Sequence, residues 1–173
     1  MTRVMYVVGM ILAAALSRLL PHPANVTPVT ALALFAAVHL DRRSAFIVPL
    51  AAMFLSDLVL GFHNDMAWVY GSFVGIVFIG FWLKNHQSFA ATVGATLSGS
   101  VLFFIVTNFG MWAATPSFYP HTINGLIECY VAGIPFFRNT LLGDLAYVGI
   151  LFGLFALVER LVPAVQMDRV SRR

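Results

Sequence analysis

The sequence predicts an all-α membrane protein with six transmembrane helices and both termini cytoplasmic. Three observations carry that expectation. Of 173 residues, 60% are apolar and 10% charged, with a mean hydropathy of +0.88, whereas a soluble domain is about 45–50% apolar and about 25% charged. Too little charged surface remains to clothe a globule in water, so the outside faces lipid. Apolar runs of spanning length recur along the chain, separated by short polar breaks. The ten Lys and Arg residues divide eight to two between alternate sides, as expected when cytoplasmic loops are the basic ones.

The first span is Val4–Leu20. Arg3 before an apolar run and Ala13–Ala15 imitate a signal peptide, but no polar mature domain follows, and the segment is read as retained. Gly9, Ala13 and Ser17 form a small-residue stripe that can pack internally or dock another subunit. The second span, residues 23–40, is marginal: Thr27–Leu40 covers about 21 Å against a hydrocarbon core of about 30 Å and needs Pro23–Val26 to reach across. Pro28 falls near its start, where a missing N–H costs little. Residues 44–62, 66–83, 88–113 and 140–162 complete the set. An outer loop, 114–139, carries Pro116, Pro120 and Pro135, with room for a short helix around Thr122–Gly133, and is a candidate lid. No repeat or soluble linker interrupts the chain, so residues 1–173 read as a single integral membrane domain.

With six spans, Arg3, Arg42, Arg43, Lys84, Arg160, Arg169, Arg172 and Arg173 share one side, and Arg18 and Arg138 the other. Omitting helix two exchanges Arg3 with Arg18 and leaves the same bias, so the rule directs the last four spans and not helix two. The polar residues then gather in the outer half: Asp57, Tyr70, Asn108, Asp144 and Tyr147. The inner halves hold Ser72, Ser98 and Ser100, which can bond back to their own helices. A carboxylate in a span costs at least about 2.5 kcal/mol, so Asp57 and Asp144 require a wet cavity or a partner, and Arg138 is the expected cation. An ion network that merely holds the bundle together is the plain alternative. Asn108, Trp112 and Thr115 share one helix face, although Trp112 also suits an interfacial belt. Pro21, Pro23 and Pro28 forbid regular helix between the first two spans, so His22 and Asn25 ride on a stiff segment that caps the outer site.

Other chemistries find no support. No Gly-Lys-Ser/Thr phosphate loop exists, so this chain does not itself hydrolyse ATP, and the five histidines never take a tight metal-ligand spacing. The single Cys129 allows no intrachain disulfide and has no orienting partner for nucleophilic work. The basic excess is a topology anchor and not a nucleic-acid surface, since Arg160, Arg169, Arg172 and Arg173 crowd the C-terminus. No cofactor and no catalytic role are expected. A membrane enzyme using Asp57 and Asp144 as an acid/base pair, and a structural subunit of a larger complex, are the competing readings.

The segments Arg18-Leu-Leu-Pro-His-Pro-Ala-Asn25-Val-Thr-Pro28, Ser56-Asp57-Leu-Val-Leu-Gly-Phe-His63 and Pro135-Phe-Phe-Arg138-Asn-Thr-Leu-Leu-Gly-Asp144 extend over most of the chain. In these, the sequence resembles a family of small bacterial membrane proteins related to the substrate-binding S-components of energy-coupling-factor (ECF) vitamin transporters. The resemblance implies an S-component-like bundle in the bacterial cytoplasmic (inner) membrane. It also implies uptake of a small water-soluble nutrient through an outward cavity, either alone or with an ECF coupling subunit and ATPases docked on the Gly9/Ala13/Ser17 stripe. Solitary cobalamin transporters are a nearby relative type, and their pattern would place ligand contacts on His22, Asp57, Tyr70 and Arg138. Those proteins can use a loop cysteine as cobalt ligand; here the loop Gly61–Ala67 holds His63 and no cysteine. Either His63 or His22 serves the cobalt, or the substrate is not a corrinoid. The expected binding set is therefore His22, Asn25, Asp57, His63, Tyr70, Asn108, Trp112, Arg138, Asp144 and Tyr147, with no resident metal.

Overall fold

A computed structural model describes residues 2–114 and 118–161. Among them are six helices and no strand: α1 (Thr2–Leu19), α2 (Val29–His39), α3 (Arg42–Leu60), α4 (Met66–Asn85), α5 (Phe89–Ala113) and α6 (Ile123–Leu161). Thr115, Pro116 and the tail from Val162, with Arg169, Arg172 and Arg173, lie outside the described residues. Four helices are long and apolar enough to cross a membrane, namely α3, α4, α5 and the Ile123–Val158 stretch of α6.

Helix α2 occupies the centre and is shorter than expected. Its 11 residues cover about 16 Å at 1.5 Å per residue, roughly half a hydrocarbon core. The expected extension through residues 23–28 is not helical, because prolines 23 and 28 break the backbone ladder there. Asn25 takes a left-handed conformation (φ 63°) between them. What α2 lacks in length it recovers in burial: only Phe35 and His39 of its residues are incompletely buried. A helix apolar on every side has no face for water and belongs in the interior, and α1, α3, α4, α5 and α6 all pack on this one.

Close approach to α2 is set by Gly80 of α4. A Cβ there would lie 2.5 Å from the Ala37 Cβ and 3.3 Å from the Leu34 backbone, so only glycine lets the two helices meet as they do. Around this contact Leu34, Ile76, Val77 and Leu83 are fully buried. The flanking helices start on side-chain caps. Asp41 accepts from the Ser44 amide at 3.4 Å to open α3, and Ser88 accepts from the Ala91 amide at 3.1 Å to open α5. Gly61 (φ 96°) turns the chain out of α3.

The expected outer loop 114–139 is corrected by α6, which runs unbroken for 39 residues through Pro135. The proline removes one backbone hydrogen bond, but the turns before it are tied to α5. Tyr130 donates to the Ile105 carbonyl at 2.8 Å, Cys129 to the Asn108 carbonyl at 3.3 Å, and Gly133 lies against Asn108 and Phe104. Tertiary contact thus overrides the local break. The loop shrinks to the stretch before Ile123, and Cys129 is buried in a helix contact.

Placing a branched side chain between α2 and α4 tests this arrangement. Gly80→Val is expected to lower stability by about 1–3 kcal/mol through overpacking, read as a reduced thermal midpoint in detergent. The control Gly94→Val, where a Cβ meets nothing within 4 Å, should leave the midpoint close to wild type.

Candidate functional site

The α1–α2 and α3–α4 connections meet at the end of the bundle where α2 begins, and there the helices enclose an open cavity of about 610 Å³. Every helix contributes lining residues to it, from Arg18 on α1 to Asp144 on α6. The cavity sits where α2 stops short and the proline segment takes its place.

One wall is an ion cluster. Arg18 Nη1 donates to Asp57 Oδ1 at 2.8 Å and to the Met53 carbonyl at 3.2 Å, and it also bonds the Ser56 hydroxyl. Tyr70 donates its hydroxyl to Asp57 Oδ2 at 2.8 Å. Both Asp57 oxygens are thereby satisfied, and the residue is 1% exposed. The cation expected for Asp57 is Arg138, and the structure supplies Arg18 instead. Arg138 is exposed and does not line the cavity. Helix periodicity explains the difference. With α6 continuous, Gly133, Phe137, Thr140 and Asp144 form the cavity-facing stripe, and Arg138 lies about 160° around the helix from Thr140 at 100° per residue.

The opposite wall holds Asp144, 2% exposed. Its Oδ2 accepts from Ser100 at 2.7 Å, and Thr30 makes a further side-chain hydrogen bond to it. Ser100 also reaches the Thr96 carbonyl at 3.1 Å, as the sequence reading expected, but it sits against Asp144 and not in a separate inner half. At the rim, His63 Nδ1 and Asp65 Oδ1 are 2.6 Å apart, and His22 Nδ1 lies 2.9 Å from the Pro23 carbonyl.

Of the expected set, His22, Asn25, His63, Asn108 and Asp144 line the cavity, while Asp57 and Tyr70 stand behind Arg18. Trp112 and Tyr147 do not line it. Trp112 Nε1 donates to the Pro120 carbonyl at 2.9 Å and its ring meets His121 edge-on, which ties down the loop before α6. Tyr147 packs on the apolar core. Sequence reasoning missed Arg18, Thr30 and Thr140 as site residues. Arg18 had a usable signal, since it falls inside the apolar run Val4–Leu20 and an arginine within a span calls for an anionic partner. Among the described residues no cluster of three or more His, Cys, Asp or Glu could hold a metal ion.

Fold and site together define an all-helical, multi-pass membrane-type bundle with an open cavity at one end that polar and aromatic residues line together. The chain belongs to a family of unknown function (DUF6580), whose sequence model matches residues 1–165. No curated protein and no solved structure matches the chain.

Removing either partner of the ion cluster leaves the other buried and uncompensated. Arg18→Gln is expected to cost about 3–5 kcal/mol, and the double variant Arg18→Gln/Asp57→Asn to recover much of it. Arg138→Gln should unfold close to wild type. Thermal unfolding of the three purified variants checks the assignment of the cation.

Proposed function

We propose that this protein binds a small, water-soluble nutrient in the outward-facing cavity and takes it up across the bacterial cytoplasmic membrane. It would act as an ECF-type substrate-binding subunit or as a solitary transporter. The observation that carries this reading is the cavity itself: about 610 Å³, within the roughly 300–1,000 Å³ typical of small-molecule sites, open, and lined by a largely apolar wall set with a few polar groups such as Arg18, Asn108 and Asp144. Polar groups held only as internal glue would have no reason to border an open space. The charge bias of the loops supports placing the cavity outside, with the Arg42/Arg43 end and both termini cytoplasmic. In that orientation α1 and α2 complete six membrane segments, with α2 reaching about half-way and the proline segment supplying the rest.

The ligand class is vitamin-like in size. A corrinoid is bulky for this volume and would seat with part of its ring system beyond the mouth. His63 would then be the cobalt ligand to consider, since its Nδ1 is engaged by Asp65 and Nε2 is left for a metal. A specific observation favours a second reading: the Arg18–Asp57–Tyr70 cluster is closed on itself, as a purely structural element would be. A structural subunit of a membrane complex keeps that cluster but has no use for the cavity.

Mass spectrometry of the small molecules released on denaturing the purified protein separates the two. Uptake predicts one metabolite near stoichiometric amount, depleted in Thr107→Phe, which fills the cavity. A structural subunit would release nothing specific from either form.

Orientation is testable with single cysteines in a Cys129→Ser background. An impermeant thiol reagent should label Asn64→Cys in intact cells and Gln87→Cys only after permeabilisation. The reverse pattern would turn the cavity to the cytoplasm and exclude uptake from outside.

A further inference from the structure

The two buried carboxylates of the cavity are treated differently. Asp57 has its own cation in Arg18, 2.8 Å away. Asp144 has only hydroxyl partners, Ser100 and Thr30, and among the described residues it enters no ion pair. Hydroxyls satisfy its hydrogen bonds but not its charge, and an isolated carboxylate in a span is costly. The N-terminus of α2, uncapped by any side chain and reached through Thr30, offers only about half a positive charge. Asp144 nevertheless lines the open cavity, where a mobile cation can reach it.

The rest of the lining is unusually aromatic. Phe73, Phe103, Phe104, Phe136 and Phe137 border the same space. Four of them form packed pairs, Phe73 with Phe103 at 5.4 Å between centroids and Phe104 with Phe137 at 4.7 Å. Aromatic faces attract organic cations through the ring quadrupole and cover their apolar groups. Arg18 does not oppose this, because its charge is matched by Asp57. The remaining acid of the lining, Asp65, lies beside His63 at the rim, where a carboxylate does not oppose an entering cation.

We infer that the cavity takes an organic cation, an ammonium or a charged nitrogen ring of vitamin size, with its charge on Asp144 and its apolar part against the phenylalanine wall. This rests on the uptake reading above and names the substrate class of that same cavity. It makes the site selective against carboxylates and phosphates, which an arginine-lined outward pocket would otherwise admit.

The test uses the full-length protein in detergent and two probes of similar size and opposite charge, benzyltrimethylammonium and phenylacetate, followed by titration calorimetry. Benzyltrimethylammonium should bind saturably and phenylacetate should not. Asp144→Asn should weaken the cation by about tenfold or more, as expected for loss of a charged partner, and Phe104→Leu by about threefold through loss of a π face. Glu128→Gln, on the exposed side of α6, should change nothing. Phe104→Leu leaves every ionic group in place and reports even where Asp144→Asn does not fold. Failure of the cation to bind, preference for phenylacetate, or cation affinity indifferent to both Asp144→Asn and Phe104→Leu overturns the inference. In that event the released metabolite decides the parent reading: a neutral or anionic molecule leaves uptake standing, and none at all removes both.

Discussion

The short central helix constrains everything else. A bundle whose other helices run 18–39 residues cannot close over a helix of 11, so space is left at the ends of α2. At its N-terminal end that space becomes the large cavity. At the His39 end it is taken up largely by rings, with Phe35, Phe152 and Phe155 around the imidazole at centroid distances of 4.3, 5.7 and 4.1 Å. The asymmetry follows from what flanks α2. On the Pro21–Pro28 side the prolines exclude helix and the chain folds through a turn closed by the Val26 amide on the Pro23 carbonyl at 3.1 Å, whereas on the other side Leu40 leads directly into the Asp41 cap of α3.

Given that vacancy, polar residues at that end have a reason to exist. The Arg18 guanidinium and the Tyr70 hydroxyl donate one to each Asp57 oxygen and leave neither open, while the Ser56 hydroxyl accepts from Arg18. A cluster closed in this way costs desolvation but gives α1, α3 and α4 a fixed register, since shifting any one helix by a residue would strand a buried charge. The cluster therefore positions the cavity wall and leaves the chemistry of the interior to other residues.

Much of this was legible in the sequence, and the failures have a common cause. Height along a helix can be read by counting residues from its end, and Asp57, Tyr70, Asn108 and Asp144, counted so, do share one end of the bundle around the cavity, whereas Tyr147 packs on the apolar core. Azimuth could not be read for α6. Pro135 suggests a break between a short helix around Thr122–Gly133 and a last span starting at Thr140, and two helices separated by loop share no common phase. Without phase Arg138 looked available to Asp57, although in the unbroken helix it stands on the far side from Thr140 and Asp144. The same absence of phase hid the stripe from Gly133 to Asp144. For α2 the difficulty was different. Its composition is spanning in character while its length is not, and only packing by five neighbours explains why so apolar a helix need not reach lipid on both sides.

The two aspartates show how one bundle separates holding from binding. Both are buried to within 2% exposure, and burial penalises either charge equally in kind. Asp57 receives a guanidinium and a phenol, a set that resolves its charge inside the protein. Asp144 receives hydroxyls, which are neutral donors that fix its orientation through α5 and α2 while leaving the charge itself unresolved. A fold whose only need was cohesion would gain by exchanging Asp144 for an apolar residue of similar volume, since Ser100 could still bond back to the Thr96 carbonyl. Keeping a carboxylate there, at the edge of open space and beside five phenylalanine rings, makes sense if its counter-charge arrives from the cavity and leaves again.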